Sequence, residues 1–581
     1  MKKGFEKILG SKFWWLALLA ALVLINYIGT MFHYRIDLTQ EKRYTLSKTS
    51  SDLIKKLDDD LEVNIFLKGE FPSGFRKLAN STAEFMDLLK DRNGSKVHYH
   101  FVSPQDEMPG TGKAWGDTLV GMGAVPINLT VQKKAGESSN IIFPVATLEY
   151  KGKIVLVNLY PGANGRISQE EINNAEALME YQFVKALDKL TNDRKPGIGY
   201  AVGNGEPVDG RAMDIVQTLQ NDYKFAMFNL QTQPAIPADM DVLMIVKPTL
   251  QFTEAEKFKL DQFVMNGGKL LCFIDNLIAE QDSLAFNKET IAYDRNLNLT
   301  DIFFRYGVRI NPDLVMDLQC DMIPFVVGGT ADNPQLDFLH WNYYPLLIPT
   351  AGNVLNRNMG YVSGRFVNSV DSIQEPGIKK TFLLGTSAHS RIISTPAIIS
   401  LNENKDLPED EKFKKNDIPV AMLLEGEFNS FYKNRVTAAQ QDTLKLTGAL
   451  YKPVSVPTKM IVVADGDMVL NDVMPQEGPL PMGWNKYTYR EYQQQSEYGK
   501  YFVPAANREF LLNCAEYLVN NPAIAETRNK EIILRLLDSP KITKNKTQWQ
   551  LINIALPVIL ILLAGLAYQQ IRKKKYTRTN S

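Results

Sequence analysis

A chain of 581 residues is far longer than one hydrophobic core can serve; at roughly 100–200 residues per domain it should hold about three or four domains. Lysine plus arginine and aspartate plus glutamate both number 65, so there is neither a polybasic surplus nor an acidic tail, and nucleic acid is not an expected partner. Three widely spaced cysteines with no C-x-x-C pair argue against a disulfide framework and a zinc site.

The cytoplasmic tail 1–12 carries Lys2, Lys3, Lys7 and Lys12. Residues 13–32, "FWWLALLAALVLINYIGTMF", hold no charge, and as a helix they would be about 30 Å long, the thickness of the hydrocarbon layer. Phe13, Trp14 and Trp15 open this expected membrane anchor. A cleaved signal is the alternative, but the run continues into bulky Phe32, His33 and Tyr34 with no small-x-small cleavage site.

Residues 33–192 read as an N-terminal α/β domain. Ser47 can cap a short helix running to Leu57, "LEVNIFL" alternates as a strand, a helix follows over about 74–89, and "KVHYHFV" alternates again. Three more strand-like runs follow, "AVPINLTVQ", "IIFPVATLEY" and "KIVLVNLY". Ser168 and Glu171 then form a capping box for a helix ending near Asn192, with Ile172, Ala175, Leu178, Met179 and Leu190 on one face.

Residues 193–470 have the rhythm of a doubly wound, flavodoxin-like parallel sheet: "PGIGYAV", a helix over 211–219, "KFAMFNL", "DVLMIV", a helix capped by Thr253 and Glu256, then "KLLCFID". "PTKMIVVADGD", far downstream, has the same strand-then-acid form and should join that sheet, leaving much of 281–451 as a large insertion. The polar segment 402–417 reads as a solvated loop. Cys272 and Cys514 sit among apolar residues as small hydrophobes. Residues 471–550 form a C-terminal loop and helical region, where Tyr487, Tyr489, Tyr492, Tyr498 and Tyr501 make either a packed loop or a partner patch.

A second span, 551–568, contains Pro557, which membrane helices tolerate, and the basic tail 569–581 follows it. Basic residues outside both spans place both termini in the cytoplasm and the body, about 33–550, in a periplasm; Lys541, Lys544 and Lys546 run against that rule.

No catalytic constellation emerges. Gly203-Asn204-Gly205 precedes Glu206-Pro207, which sets a carboxylate where a phosphate would have to sit, so a turn after a strand is the reading. Gly112-Lys113 and Gly268-Lys269 lack the Ser/Thr of a Walker A loop, and there is no G-x-S-x-G elbow and no H-E-x-x-H pair. His98 and His100 share a strand face, and His389 lies near Ser387 and Ser390 with no third partner. The candidate ligand-binding set is Gly203, Asn204, Gly205, Glu206, Asp275, Asp465 and Asp467, at the strand ends where doubly wound sheets bind ligands. The alternative is that these acids cap helices or face water. No metal or cofactor is expected.

"RIDLTQEKRYTLS", "MEYQFVKALDKL", "GYAVGNGEP", "FTEAEKFKLDQFVMNGGKLLCFID", "LLEGEFNSFYKNR", "IVVADGDM" and "NREFLLNCAEYLVNN" follow one another as in a known family. Over nearly its whole length, both anchors included, the chain resembles the gliding-motility-associated ABC transporter auxiliary (GldG) proteins of Bacteroidota. The resemblance implies a membrane-anchored periplasmic subunit that is not an enzyme, working with a separate ATPase and a separate permease and with other gliding or envelope proteins. It also implies a degenerate amidotransferase-like second unit without the catalytic cysteine elbow, in keeping with Cys272 inside a strand. A structural coupling element, or an enzyme using the strand-end acids, are the alternatives.

Overall fold

The computed structural model describes residues 45–529 and 539–577, apart from interruptions at 70, 111, 125, 134–135, 161–168, 193, 282–283, 285–288, 331–332, 357–358, 402–409, 447–450, 495, 497–498, 500–501, 520–523 and 525–526, together with residues 19, 22–24, 26 and 37. The expected anchor at 13–32, with Phe13, Trp14 and Trp15, therefore lies outside the described residues except for helical positions 19, 22–24 and 26. Ser168, Tyr498 and Tyr501 also lie outside them.

The chain divides into two units, residues 1–531 and 532–581. The first begins with α1 (Lys48–Lys55), whose cap is Ser47 accepting from the Ser50 amide. It continues through β1 (Leu61–Ile65), α2 (Ser73–Arg92), β2 (Val97–Phe101), β3 (Val145–Tyr150), β4 (Lys153–Asn158) and α3 (Gln169–Thr191). β1 pairs parallel with β2 and antiparallel with β3, which pairs antiparallel with β4. Leu61, Val63 and Ile65 point the same way by the two-residue period of a strand and are fully buried under α2 and α3. The runs at 127–133 and 136–142 pair with each other as a separate hairpin.

The larger sheet is mixed. Its parallel part is β5 (Gly197–Val202), β6 (Lys224–Asn229), β7 (Val242–Val246), β8 (Lys269–Phe273) and β13 (Thr458–Val463), in the order β6-β5-β7-β8-β13. The far-downstream run joins where expected, Leu270 opposite Met460. Beyond it the region between β8 and β13 contributes strands of its own: β9 (Cys320–Thr330), β10 (Asn333–Pro349), β11 (Ile378–Gly385) and β12 (Pro419–Gly426) continue the sheet antiparallel, β12 lying against β13.

Both faces of the parallel part are covered, which explains why its strands read as unbroken apolar runs. Val242, Met244 and Val246 pack into one core with α4 (Met213–Gln220) and α6 (Asn507–Val519); Leu243 and Ile245 pack into the opposite core with α5 (Glu254–Met265). Cys272 belongs to the second core and Cys514 to the first, both fully buried. α5 starts with the Thr253–Glu256 capping box read in the sequence. Cys320, at the start of β9, is buried, with its thiol 3.7 Å from Asn342 Oδ1.

The second unit holds α7 (Ser539–Thr577), 39 residues with Pro557 inside. Its stretch Gln550–Lys573 is the one helix among the described residues long and apolar enough to cross a membrane. The protein is thus a mixed α/β multidomain chain with parallel strands in both sheets and one apolar C-terminal helix.

Candidate functional site

The carboxyl ends of β5, β7, β8 and β13 carry the sequence candidates, and the structure divides them into two groups. The first is the turn after β5. Asn204 is fully buried, and its carbonyl accepts from the amides of Thr249 and Leu250, both at 2.8 Å, tying this turn to the one after β7. The approach is so close that a Cβ on Gly205, where φ is +79°, would lie 2.0 Å from Thr249 Oγ1. Glycine is required there both by the left-handed backbone and by the contact. Glu206 folds back, its Oε2 accepting from the Asn204 amide at 2.7 Å. The Asn204 carboxamide donates to Glu256 Oε2 at 3.3 Å, so the turn rests on the cap of α5. Glu206 Oε1 and Asn204 Oδ1 are buried without a hydrogen-bond partner. Burial raises the Glu206 carboxyl to about 7, against the backbone amides that favour its charge. The turn is internally bound: its own amides are turned on the Glu206 carboxylate.

The second group is Asp275, Asp465 and Asp467, whose carboxylates each place an oxygen within 4.8 Å of the others, a spacing that could serve a metal ion. A residue that the sequence reading missed meets them. Lys247, immediately after β7, lies with its Nζ 2.6 Å from Asp467, 3.3 Å from Asp275 and 3.0 Å from Glu280. The ammonium is almost completely buried and supplies the positive charge that three crowded carboxylates need. Burial alone would depress its pKa; Asp467, Asp275 and Glu280 outweigh burial and hold it above the ordinary lysine value.

The remaining oxygens of Asp275 and Asp465 are engaged as well. Asp275 Oδ1 accepts from the Gly466 amide; Asp465 Oδ1 accepts from the amides of Asp467 and Met468, at 2.8 and 3.1 Å, and its Oδ2 from that of Arg365 at 2.8 Å. Burial lifts Asp275 to about 6 despite Lys247, and burial with repulsion from Asp275 and Asp467 puts Asp465 well above the usual carboxylate range. Around this core Arg295 pairs with Glu280 at 2.9 Å, and Arg365 grips Asp472 with two bonds of 2.7 and 3.0 Å.

Backbone geometry enforces the arrangement. Lys247 has a left-handed backbone, φ +44°, uncommon for a residue with a side chain. Gly466 packs so tightly on it that an added Cβ would lie 2.7 Å from Lys247 Cβ. A strand end that runs straight into lysine, "DVLMIVKP", was the available signal for this residue. Nothing comparable announced Arg365 or Asp472, whose elements meet only in the folded chain.

The other sequence candidates lie apart. His98 is half-buried and His100 exposed on β2, the latter 3.9 Å from Glu62. The His389 amide donates to Ser387 Oγ at 3.0 Å, and Ser387 Oγ itself donates to Asp317, so that serine serves a buried carboxylate.

A family model described as "ABC-type uncharacterized transport system" matches residues 195–514, and a model for a domain of unknown function matches 40–149. An uncharacterized protein of Borreliella burgdorferi is 22% identical over 429 residues, which cover 72% of this chain and 77% of that one. Among solved structures, the mmIFT52 N-terminal domain aligns at 11% identity over 56% of this chain and 98% of its own, with a TM-score of 0.31. An exo-β-1,4-mannosidase from an Opitutaceae bacterium aligns at 10% identity over 61% and 41%, with a TM-score of 0.20. At such TM-scores neither structural likeness carries an argument.

Proposed function

The chain belongs to the family described as an ABC-type uncharacterized transport system, and from that premise we propose that it is a non-catalytic auxiliary subunit of an ABC transporter complex. It works with a separate ATPase and a separate permease, because its sequence holds no nucleotide motif and one or two spans cannot enclose a path. In this reading the anchors are 13–32 and 551–568, both termini are cytoplasmic and the body is periplasmic. The central unit is a degenerate amidotransferase-like domain, an assignment supported by Cys272 lying buried within β8. The role is in gliding motility, as the resemblance to the GldG proteins implies.

The observation that carries the non-catalytic reading is Lys247. The sheet edge at which doubly wound folds hold ligands is occupied here by the protein's own ammonium, bonded to carboxylates that would otherwise bind a cation or work as acids and bases. Purification of the chain from its native membrane in mild detergent, through a tag, tests the assignment. Co-purification of a Walker A ATPase and a multi-span protein is expected, and recovery of the chain with neither would overturn it.

A second reading, mechanical coupling between the transporter and other envelope proteins, is favoured by the buried polar seam between α3 and α6. Tyr181 donates to the Glu516 carboxylate, Lys185 lies 3.4 Å from the same group, and the Arg528 guanidinium stacks 4.7 Å from the Tyr181 ring. If this reading is right, cutting the linker near residue 193 abolishes gliding while leaving the ATPase and permease bound.

A further inference from the structure

The strand order β6-β5-β7-β8-β13 reverses between β5 and β7, and parallel sheets open a crevice for ligands beyond the carboxyl ends of such a pair. Here that crevice is shut. The Asn204 carbonyl takes both the Thr249 and the Leu250 amide, at 2.8 Å each, so the turn after β5 is fastened to the turn after β7. Whatever holds Asn204 in place governs access to this edge.

Two oxygens inside the fastening, Glu206 Oε1 and Asn204 Oδ1, are closed off from solvent and have no partner. Asn204 is fully buried and Glu206 is 6% exposed. Turning the Asn204 carboxamide round does not mend this, because its Nδ2 donates to the Gln251 carbonyl at 3.4 Å and to Glu256 Oε2 at 3.3 Å, neither of which has a proton to give back. Glu206 Oε2 accepts from the Asn204 amide at 2.7 Å, which keeps the carboxyl beside that carboxamide. Neighbouring charges bring no relief. Glu256 on α5 repels a Glu206 carboxylate, and Lys259 on the same helix lies near Glu256 and donates to the Leu230 carbonyl at 2.8 Å. Tyr200 on β5 donates to the Pro207 carbonyl at 2.7 Å, and Arg211 pairs with Asp209 at 3.0 Å. Two orphaned acceptors in one turn need one donor, and a single proton on Glu206 supplies it.

We propose that Glu206 is a proton-operated latch on this crevice: protonated, its Oε1 donates to Asn204 Oδ1 and keeps the two turns fastened; ionised, it releases Asn204 and the crevice between β5 and β7 opens. In the closed state the bonds run from the Glu206 hydroxyl through the Asn204 carboxamide to the Glu256 carboxylate, each group giving to the next. Loss of the proton breaks the first link and sets a second negative charge against Glu256. Burial fixes the direction, since the closed turn favours the neutral acid, with the carboxyl at about 7 against 4.5 in an open chain. Acid therefore closes the latch and rising pH opens it. The device is independent of the transporter assignment.

The test is hydrogen–deuterium exchange of the detergent-solubilised full chain, read on peptides carrying Thr249 and Leu250 and corrected for the intrinsic pH dependence of exchange. Protection of these amides should fall by roughly tenfold per pH unit between about pH 5 and 7 and level off above. Peptides from β1, in the other sheet, should stay protected throughout, which separates the latch from general loosening. Glu206→Gln, whose carboxamide donates in the proton's place, should be protected at every pH. Glu206→Ala, with nothing to donate, should sit at the open level at every pH. Tyr200→Phe loses a neighbouring bond but no proton, and should keep the wild-type slope. Wild-type protection that does not change between pH 5 and 8, or a Glu206→Gln chain that loses protection as the wild type does, overturns the latch. So does recovery of protection at pH 8 on adding magnesium or calcium chloride, which would assign the two oxygens to a metal ion.

Discussion

Two buried side chains allow sharp predictions. Glu206 has its carboxyl raised from 4.5 to about 7, so the folded chain binds this proton more tightly than the unfolded chain does. Its stabilising contribution is complete below about pH 4.5, is lost as the pH climbs to about 7, and is absent above that. Glu206→Gln, neutral at every pH, should melt with the wild type at pH 4.5 and be more stable by about 1–3 kcal/mol at pH 8 in thermal scans of the detergent-solubilised chain. Equal differences at both pH values would show that the group is not buried as described. Lys247 has the opposite character. Lys247→Met leaves Asp275, Asp465 and Asp467 crowded without a counter-charge, and should cost about 3–5 kcal/mol in denaturant unfolding. A loss under 1 kcal/mol would mean that the carboxylates are neutralised by other means.

At the scale of strands and turns, the Gly466 contact sets a second limit. Gly466→Ala forces a methyl group against Lys247 and should lower stability by about 2 kcal/mol, with the apolar cores untouched. The three thiols, all buried and in Cys272 and Cys514 raised by burial alone, should resist a thiol reagent in the native chain and react only on unfolding. Much of this level was legible beforehand. Period-two alternation marked β1, unbroken apolar runs marked β7 and β8, and the Thr253–Glu256 pair marked the start of α5, because each is a local signal in consecutive residues. The continuation of the sheet by β10, β11 and β12 was not legible, since an antiparallel partner announces itself only through contacts far along the chain. The same reason hid the site's central feature: four acids could be gathered from strand ends, but the charge that joins Asp275 to Asp467 and leaves Glu206 aside depends on where one lysine side chain turns.

Across the molecule, the α3–α6 seam ties the first sheet's helix to the helix covering the second. Tyr181→Phe removes a buried bond to a charged group, which should cost about 1.5–3 kcal/mol and separate the melting of the two sheets into distinct transitions. A single, unshifted transition would show that the seam is not what holds them together. The strand order has one more outcome. β8 ends at Phe273 and its neighbour β13 closes with Val463, so the ribosome has a further 190 residues to add before the parallel sheet can be completed. At about 5–20 residues per second this takes roughly 10–40 s, during which a strand edge with unpaired main-chain N–H and C=O groups is on display. The nascent polypeptide thus needs shelter throughout its biogenesis, and shortening the intervening stretch should reduce its call on chaperones.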